Sequence, residues 1–433
     1  MNLTRLILLS ALAAAPARAD DTGFAIRNVR LFDGVRTSEH RTVLVKHGVI
    51  AAIGGPNLRT AGVSVIDGSG ETLVPGIIDA HIHASHTAPE KTLAQSARFG
   101  VTTDLDMFTD VATLKRLHEL SRADLPNLAD ARSAGVGASA PKGHPSLMDP
   151  TASFPTITRP EDAQAFVDAR IAEGSDYIKI IAEDGLYIDA NGRTVGKEIP
   201  HLDEATIRAV VAAAHRRGKL AVVHVQSERW ARAAIEAGAD GLAHLFIAEH
   251  SSPDFGRFAK AHHVFVIATL DVEYVQCNRS RGPALAADPR ISSQLDPGFV
   301  AGLKMSFHLP RSCNGTDDAL KQLHAAGVPI LVGTDAPVPG TTYGASTLEE
   351  MALLVGDGLT PTEALRAGTS VPARIFHLRD RGEIKIGKRA DLLLVKGDPT
   401  RDIGALKDIV AVWKHGMPVH RNPVPAVGAR IHP

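Results

Sequence analysis

The sequence predicts an α/β protein, a (β/α)8 TIM barrel with a small discontinuous β-sandwich domain formed by both chain ends. Three observations carry that expectation. Eight short apolar runs follow one another through the middle of the 433-residue chain, each trailed by a longer amphipathic stretch, the signature of βα units and a parallel sheet. Their spread over about 300 residues suits a closed barrel. Both chain ends instead show short β-branched runs cut by turn residues.

Taken in order, residues 1–19 form a signal peptide. Arg5 supplies the positive start, Leu6 to Ala15 the apolar run, and Ala17-Arg18-Ala19 the small-x-small cleavage pattern before Asp20. The run is about half of the roughly 20 residues that span a bilayer. Cleavage after Ala19 is therefore expected, with a periplasmic or secreted mature protein and no remaining membrane partner. Residues 22–75 carry strands at Phe24 to Phe32 and Thr42 to Ile53, with turns at Asp33-Gly34 and His47-Gly48. The same texture returns in residues 378–428, at Glu383 to Lys385, Asp391 to Lys396 and Ile409 to Val412. These two stretches should pair as one composite β-sandwich domain.

The barrel is assigned to residues 76–377. Its strands are expected in the runs Ile77 to Ala84, Val101 to Met107, Leu128 to Val136, Tyr177 to Ala182, Leu220 to Val225, Gly241 to Leu245, Val264 to Leu270 and Ile330 to Ala336. Helices are expected at Asp203 to Arg217, opening on an Asp203 cap, and at Asp317 to Ala326.

Composition narrows the chemistry. With 47 Lys+Arg against 48 Asp+Glu the charge is near zero, which argues against a nucleic-acid surface. Two cysteines cannot build a thiolate cluster, so any metal must rely on the 20 histidines and on oxygen ligands. His81 and His83 lie two apart on a strand and so share a face, a ready half-site for a metal. Lys179 interrupts an otherwise buried strand. It needs a carboxylate, a metal or a modification there, unless it reaches solvent at the strand end. His224 and His244 occupy matching places on the fifth and sixth runs, and Asp335 ends the eighth. Any one of these could be a satisfied core residue. All six fall near the C-terminal ends of strands, where barrel active sites form.

At this point the chain resembles the amidohydrolase superfamily, in its binuclear-metal, imidazolonepropionase-like or Xaa-Pro-dipeptidase-like branch. The strings are Val74-Pro75-Gly76-Ile77-Ile78-Asp79-Ala80-His81-Ile82-His83, Gly100-Val101-Thr102-Thr103, Tyr177-Ile178-Lys179-Ile180, the two strand-end histidines, Gly333-Thr334-Asp335-Ala336 and Gly387-Lys388-Arg389-Ala390-Asp391-Leu392. The likeness runs from about Ile26 to Val419.

The resemblance implies that His81, His83 and Asp335 bind one divalent ion and His224 and His244 a second, with Lys179 bridging both as a CO2-derived carbamate. Zinc suits the set best, with manganese and cobalt as alternatives. It further implies attack by a metal-bridging hydroxide, Asp335 as general acid/base, and His144 after the third strand steadying the oxyanion. A loop histidine in a Pro/Gly turn is the plainer reading of His144. The expected reaction is hydrolysis of an amide or peptide-like C–N bond in a dipeptide, an N-acyl amino acid or a related amide. The alternatives are a lactone, ester or phosphotriester hydrolase, or a deaminase. Mononuclear deaminases of the superfamily generally lack the strand-four lysine and carry a glutamate three residues after the strand-five histidine, whereas here Glu228 stands four after His224. A scaffold that had lost catalysis would be expected to lose ligands. The partner is a small-molecule substrate, and homo-oligomers are usual among the relatives.

Departures from the family pattern mark the substrate side. Gln226 stands where related dipeptidases often carry a tyrosine. Glu183-Asp184-Gly185 replaces a small Gly-rich turn, either to meet a cationic substrate part or as a solvated acidic loop. The segment from Asp271 to Val328 is a candidate lid holding Cys277 and Cys313, paired or free. Arg279, Arg281 and Arg311 beside them could hold a substrate carboxylate or lie on the surface, and Tyr274 is a candidate for the same pocket.

Overall fold

The computed structural model describes residues 23–147, 153–189, 191, 193–306 and 311–422. Residues 1–19, expected to form a signal peptide, lie outside these residues, as does the end of the second stretch assigned to the composite domain. The described chain is mixed α/β.

Five strands come first: β1 (Phe24–Phe32), β2 (Thr37–Lys46), β3 (Val49–Gly54), β4 (Ser64–Asp67) and β5 (Glu71–Pro75). The central region supplies β6 (Ile77–Ile82), β7 (Val101–Asp106), β8 (Asp130–Ser133), β9 (Ile178–Ala182), a short hairpin of β10 (Leu186–Ile188) and β11 (Thr194–Gly196), then β12 (Ala221–Val225), β13 (Gly241–Ala243), β14 (Phe265–Ile267) and β15 (Ile330–Leu331). β16 (Leu392–Lys396), β17 (Ile409–Lys414) and β18 (Met417–Pro418) close the described chain.

The two chain ends meet in one sheet of order β18-β17-β16-β5-β1-β2-β3, with β4 paired to β1. The seam is antiparallel, from Leu392 opposite Pro75 to Lys396 opposite Glu71. Apolar residues of both ends, among them Ile26, Val45, Ile50, Leu73, Leu392 and Trp413, bury a shared core on this sheet. β16 falls within the expected run Asp391 to Lys396, and both seam strands are buried on both faces, with Leu73, Val74, Leu392, Leu393 and Leu394 fully buried.

Each of the eight central runs contains a parallel strand. β6, β7 and β8 form one sheet, and β9, β12, β13, β14 and β15 another. Parallel bridges Ala138–Ile180 and Ile82–Ala336 join the two sheets at both of their edges. Ile78, Ala80, Leu105, Val222, Ile267 and Leu331, drawn from both sheets, pack into one core cluster. Helices intervene for local reasons. Glu204–Arg216 starts where the Asp203 carboxylate accepts the Thr206 N–H at 2.7 Å, and it buries Ile207, Val210, Val211 and Ala214 along one stripe. The expected lid segment is largely helical, with helices at Leu270–Gln276, Gly282–Ala287, Pro289–Ser292, Pro297–Leu303 and Asn314–Ala326. A disulfide joins Cys277 to Cys313 across it, with Cα atoms 5.9 Å apart. Among the described residues no helix is long and apolar enough to cross a membrane.

Candidate metal centre and its mouth

The C-terminal ends of the central strands carry the polar side chains. His81 is the penultimate residue of β6, and His83 follows two residues on, its N–H donating to the Ala336 carbonyl at 2.8 Å. Gly333 lets the chain after β15 close against this strand. A Cβ there would lie 2.4 Å from Ile267 Cγ2 and 2.9 Å from His81 Cβ. With that close approach, the Thr334 and Asp335 N–H groups both donate to the His81 carbonyl, at 3.1 and 2.8 Å. The buried Asp79 carboxylate fastens the same junction by accepting from the His81 N–H, the Thr334 N–H and hydroxyl, and the Thr347 hydroxyl.

The geometry brings Asp335 Oδ1 to 3.1 Å from His81 Nε2 and 2.9 Å from His83 Nε2. Lys179 Nζ, on β9, lies 3.5 Å from His81 Nε2. His244, one residue past β13, has its ring centre 4.6 Å from that of His81, tilted by 40°, and 4.7 Å from that of His224 on β12, edge to face. His244 and Asp335 both sit at positive φ, 75° and 56°, as does Thr269 at 49°. Left-handed backbone at non-glycine residues is costly, and its concentration here marks a site whose surroundings impose it.

Outer partners aim several of the rings. His83 Nδ1 faces the Phe108 carbonyl at 3.1 Å, and His244 Nδ1 pairs with the Thr269 hydroxyl at 2.8 Å. His224 Nε2 pairs with Glu183 Oε2 at 3.2 Å. Each of these rings therefore keeps one nitrogen for another partner, the pattern of metal-ligating histidines. Two buried atoms, His81 Nδ1 and Asp335 Oδ1, lack a hydrogen-bond partner among the described residues. Asp335 Oδ1 is thus close to two imidazole nitrogens with no N–H aligned on it. Donor atoms about 3.3 Å apart are what a tetrahedral zinc site with bonds of about 2.0–2.1 Å presents. Two trios whose ligand atoms lie within 4.8 Å of one another, His81–His244–Asp335 and His144–Glu183–His224, fit divalent ions of borderline hardness.

Electrostatics agree with the donor set. Burial, with the positive charge of Lys179, pulls His81 down to about 3, and His244 is pushed well below the usual histidine range by burial. Both are neutral donors at pH 7. Burial also pulls the Lys179 ammonium down to about 7, although Asp335 and Asp106 oppose it. Asp335 is buried too, yet its histidine neighbours hold its carboxyl well below the ordinary range.

His144 faces His224 with stacked rings 4.8 Å apart and puts Nδ1 3.2 Å from Glu183 Oε2. Both residues line a cavity of about 200 Å³ with Tyr187, Lys197, Gln226 and Arg311. Of the substrate-side candidates, Gln226 and Arg311 are in this lining. Arg311 stacks on Tyr187, 4.5 Å from the ring centre, and hydrogen-bonds Gln276. Tyr274, Arg279 and Arg281 are not in it. The Tyr274 hydroxyl donates to Asp317 and Asp357, and Arg279 pairs with Asp317 while stacking on the Tyr274 ring. Arg281 precedes the helix Gly282–Ala287. Helix packing within the expected lid draws these polar groups onto one another.

Tyr187, Lys197 and Glu273 join the site without having been singled out in the sequence, and Glu183, noted there only as part of an acidic turn on the substrate side, takes a fixed place in it. Glu183 carried a usable signal, because it shares the alternation of Lys179 and Ile181 one step past β9. Glu273 did not, since it sits on a helix. Its Oε1 lies 3.8 Å from His244 Nδ1, and burial pushes its carboxyl well above the ordinary range.

Comparison with known proteins follows the same lines. The model of the amidohydrolase family matches residues 72–420. The chain is 26% identical over 453 aligned residues to the imidazolonepropionase of Deinococcus deserti, covering 97% of this chain and 100% of that one. Among solved structures, a Xaa-Pro dipeptidase with methionine bound in its active site aligns with a TM-score of 0.71 at 21% identity, over 92% of this chain and 100% of that one. A molinate hydrolase aligns with a TM-score of 0.70 at 18% identity, over 93% and 95%.

Proposed function

Because the chain belongs to the amidohydrolase family, we propose that it is a metal-dependent hydrolase of an amide or peptide-like C–N bond. The observation that carries this reading is the convergence of His81, His83, Lys179, His224, His244 and Asp335 from β6, β9, β12, β13 and β15 onto one buried cluster. The parallel strands, bridged at both edges, support a closed (β/α)8 barrel with the composite sheet as a small second domain. The disulfide supports export to an oxidising compartment behind the signal peptide.

In this reading His81, His83 and Asp335 hold one ion, and His224 and His244 hold the other. Lys179, as a carbamate, would supply a further anionic ligand, since carboxylation turns a buried cation into an anion suited to divalent charge. When bound, the divalent pair activates water at neutral pH and polarises the substrate carbonyl. Asp335, its carboxyl held low by its histidine neighbours, takes the proton of the attacking water and delivers it to the leaving amine. His144, at the mouth, donates a hydrogen bond to the developing oxyanion. Gln226 offers an amide to the substrate, and Arg311 with Lys197 can receive a carboxylate in the same cavity.

The likeness to an imidazolonepropionase and to a Xaa-Pro dipeptidase supports a C–N bond as the target. The test is a hydrolysis screen of Xaa-Pro and other dipeptides, N-acyl amino acids, aryl amides, lactones and phosphotriesters. Turnover of dipeptides or N-acyl amino acids is expected. Turnover confined to lactones or phosphotriesters, or release of ammonia from an amino-substituted ring, would replace this reading with the ester-type or the deaminase alternative.

A further inference from the structure

We propose that Glu183 is a positioning residue that fixes the imidazole of His224 for metal binding and yokes it to His144. The inference rests on the metal-dependent reading above and deepens it. A single carboxylate oxygen, Glu183 Oε2, lies 3.2 Å from His224 Nε2 and 3.2 Å from His144 Nδ1. The two rings are nearly parallel, 17° apart, so the one oxygen spans their edges. The Glu183 side chain is only 14% exposed, so it is not a solvated loop acid.

A carboxylate only accepts hydrogen bonds, so His224 Nε2 must carry the proton and Nδ1 must keep the lone pair. That selects one tautomer and one ligand atom. An outer carboxylate also raises the basicity of a ligating imidazole. The outer nitrogens of the other aimed rings hydrogen-bond a carbonyl at His83 and a hydroxyl at His244, with Glu273 3.8 Å from the latter, whereas the outer nitrogen of His224 has a carboxylate at hydrogen-bond distance. The same contact makes His144 Nδ1 a donor to the carboxylate, so Nε2 donates to an oxyanion only while the ring is protonated. Arg311 lines the same cavity and supplies positive charge opposite the carboxylate.

The experiment compares wild-type holoenzyme with Glu183→Ala and Glu183→Gln. It uses zinc competition against a chromophoric chelator, the absorption spectrum of the cobalt-loaded protein, and thermal unfolding as a folding control. Glu183→Ala is expected to weaken one of the bound ions by about 10–100-fold and leave the other unchanged. Glu183→Gln should keep both ions with a smaller loss, because its amide oxygen still accepts from His224 Nε2–H. Should Glu183→Ala not fold, Glu183→Gln alone decides. Wild-type zinc affinity and an unchanged cobalt spectrum in the variants would overturn the positioning role and leave the metal-dependent reading intact. Loss of one ion from Glu183→Gln would overturn it differently, by making Glu183 itself a ligand. Wild-type protein that binds no zinc would overturn both.

Discussion

Lys179 decides more than any other single residue. It is 2% exposed, its amine is 3.5 Å from an imidazole nitrogen, and burial brings it to about 7. CO2 reacts with the neutral amine, so the reactive form grows as pH rises through about 7. At fixed CO2 pressure, metal loading of stripped protein should therefore be greater at pH 8 than at pH 6, and CO2-free buffer should slow it. Lys179→Ala should lose most of its metal and activity. A short carboxylic acid supplied to this variant should restore part of both by placing an anion in the vacated space. An unaltered metal content in Lys179→Ala, read by elemental analysis, would contradict the bridging role. The sequence exposed Lys179 because a lysine inside an apolar strand demands an explanation. Glu183 was less visible, since it follows the strand, and an acidic residue in a turn is ordinarily solvated.

At the scale of elements, the strands were legible and the segment between β14 and β15 was only half so. Each apolar run contains its strand because burial on both faces demands an unbroken apolar stretch. Alternation cannot show which helices of the intervening segment pack together, and that packing draws Tyr274 and Arg279 onto Asp317, outside the cavity lining. The disulfide between Cys277 and Cys313 closes a separation of 36 residues over this segment. Removing it with Cys277→Ser and Cys313→Ser should cost about 2–4 kcal/mol, measured by denaturant unfolding under non-reducing conditions. Because Arg311 lies two residues from Cys313 and bonds Gln276 next to Cys277, the same variant should raise KM for a carboxylate-bearing substrate more than it lowers kcat. Unfolding that matches wild type under those conditions would mean the bridge does not restrain the segment.

In the whole molecule the central strands and the composite sheet are joined by buried charge. Asp130, on β8, receives Arg381 Nη1 at 2.7 Å and Lys414 Nζ at 2.6 Å, and Asp124 binds Lys414, Arg389 and His415 beside it. Lys414 is 1% exposed. Asp130→Ala takes a carboxylate from two buried cations that keep Asp124 and Asp380 as partners, and should destabilise the protein by about 1.5–3 kcal/mol, seen as a lower Tm in thermal unfolding. The pairing of the two chain ends was foreseeable from their shared texture. The seam network was not, because its residues are far apart in sequence and none stands out alone. The account as a whole turns on the metal. Elemental analysis of protein purified without chelator, read beside its amide hydrolysis, tests it most directly. About two divalent ions per chain are expected, with activity lost on chelation and regained on adding zinc. Full hydrolysis by protein carrying less than about one ion per chain would contradict it.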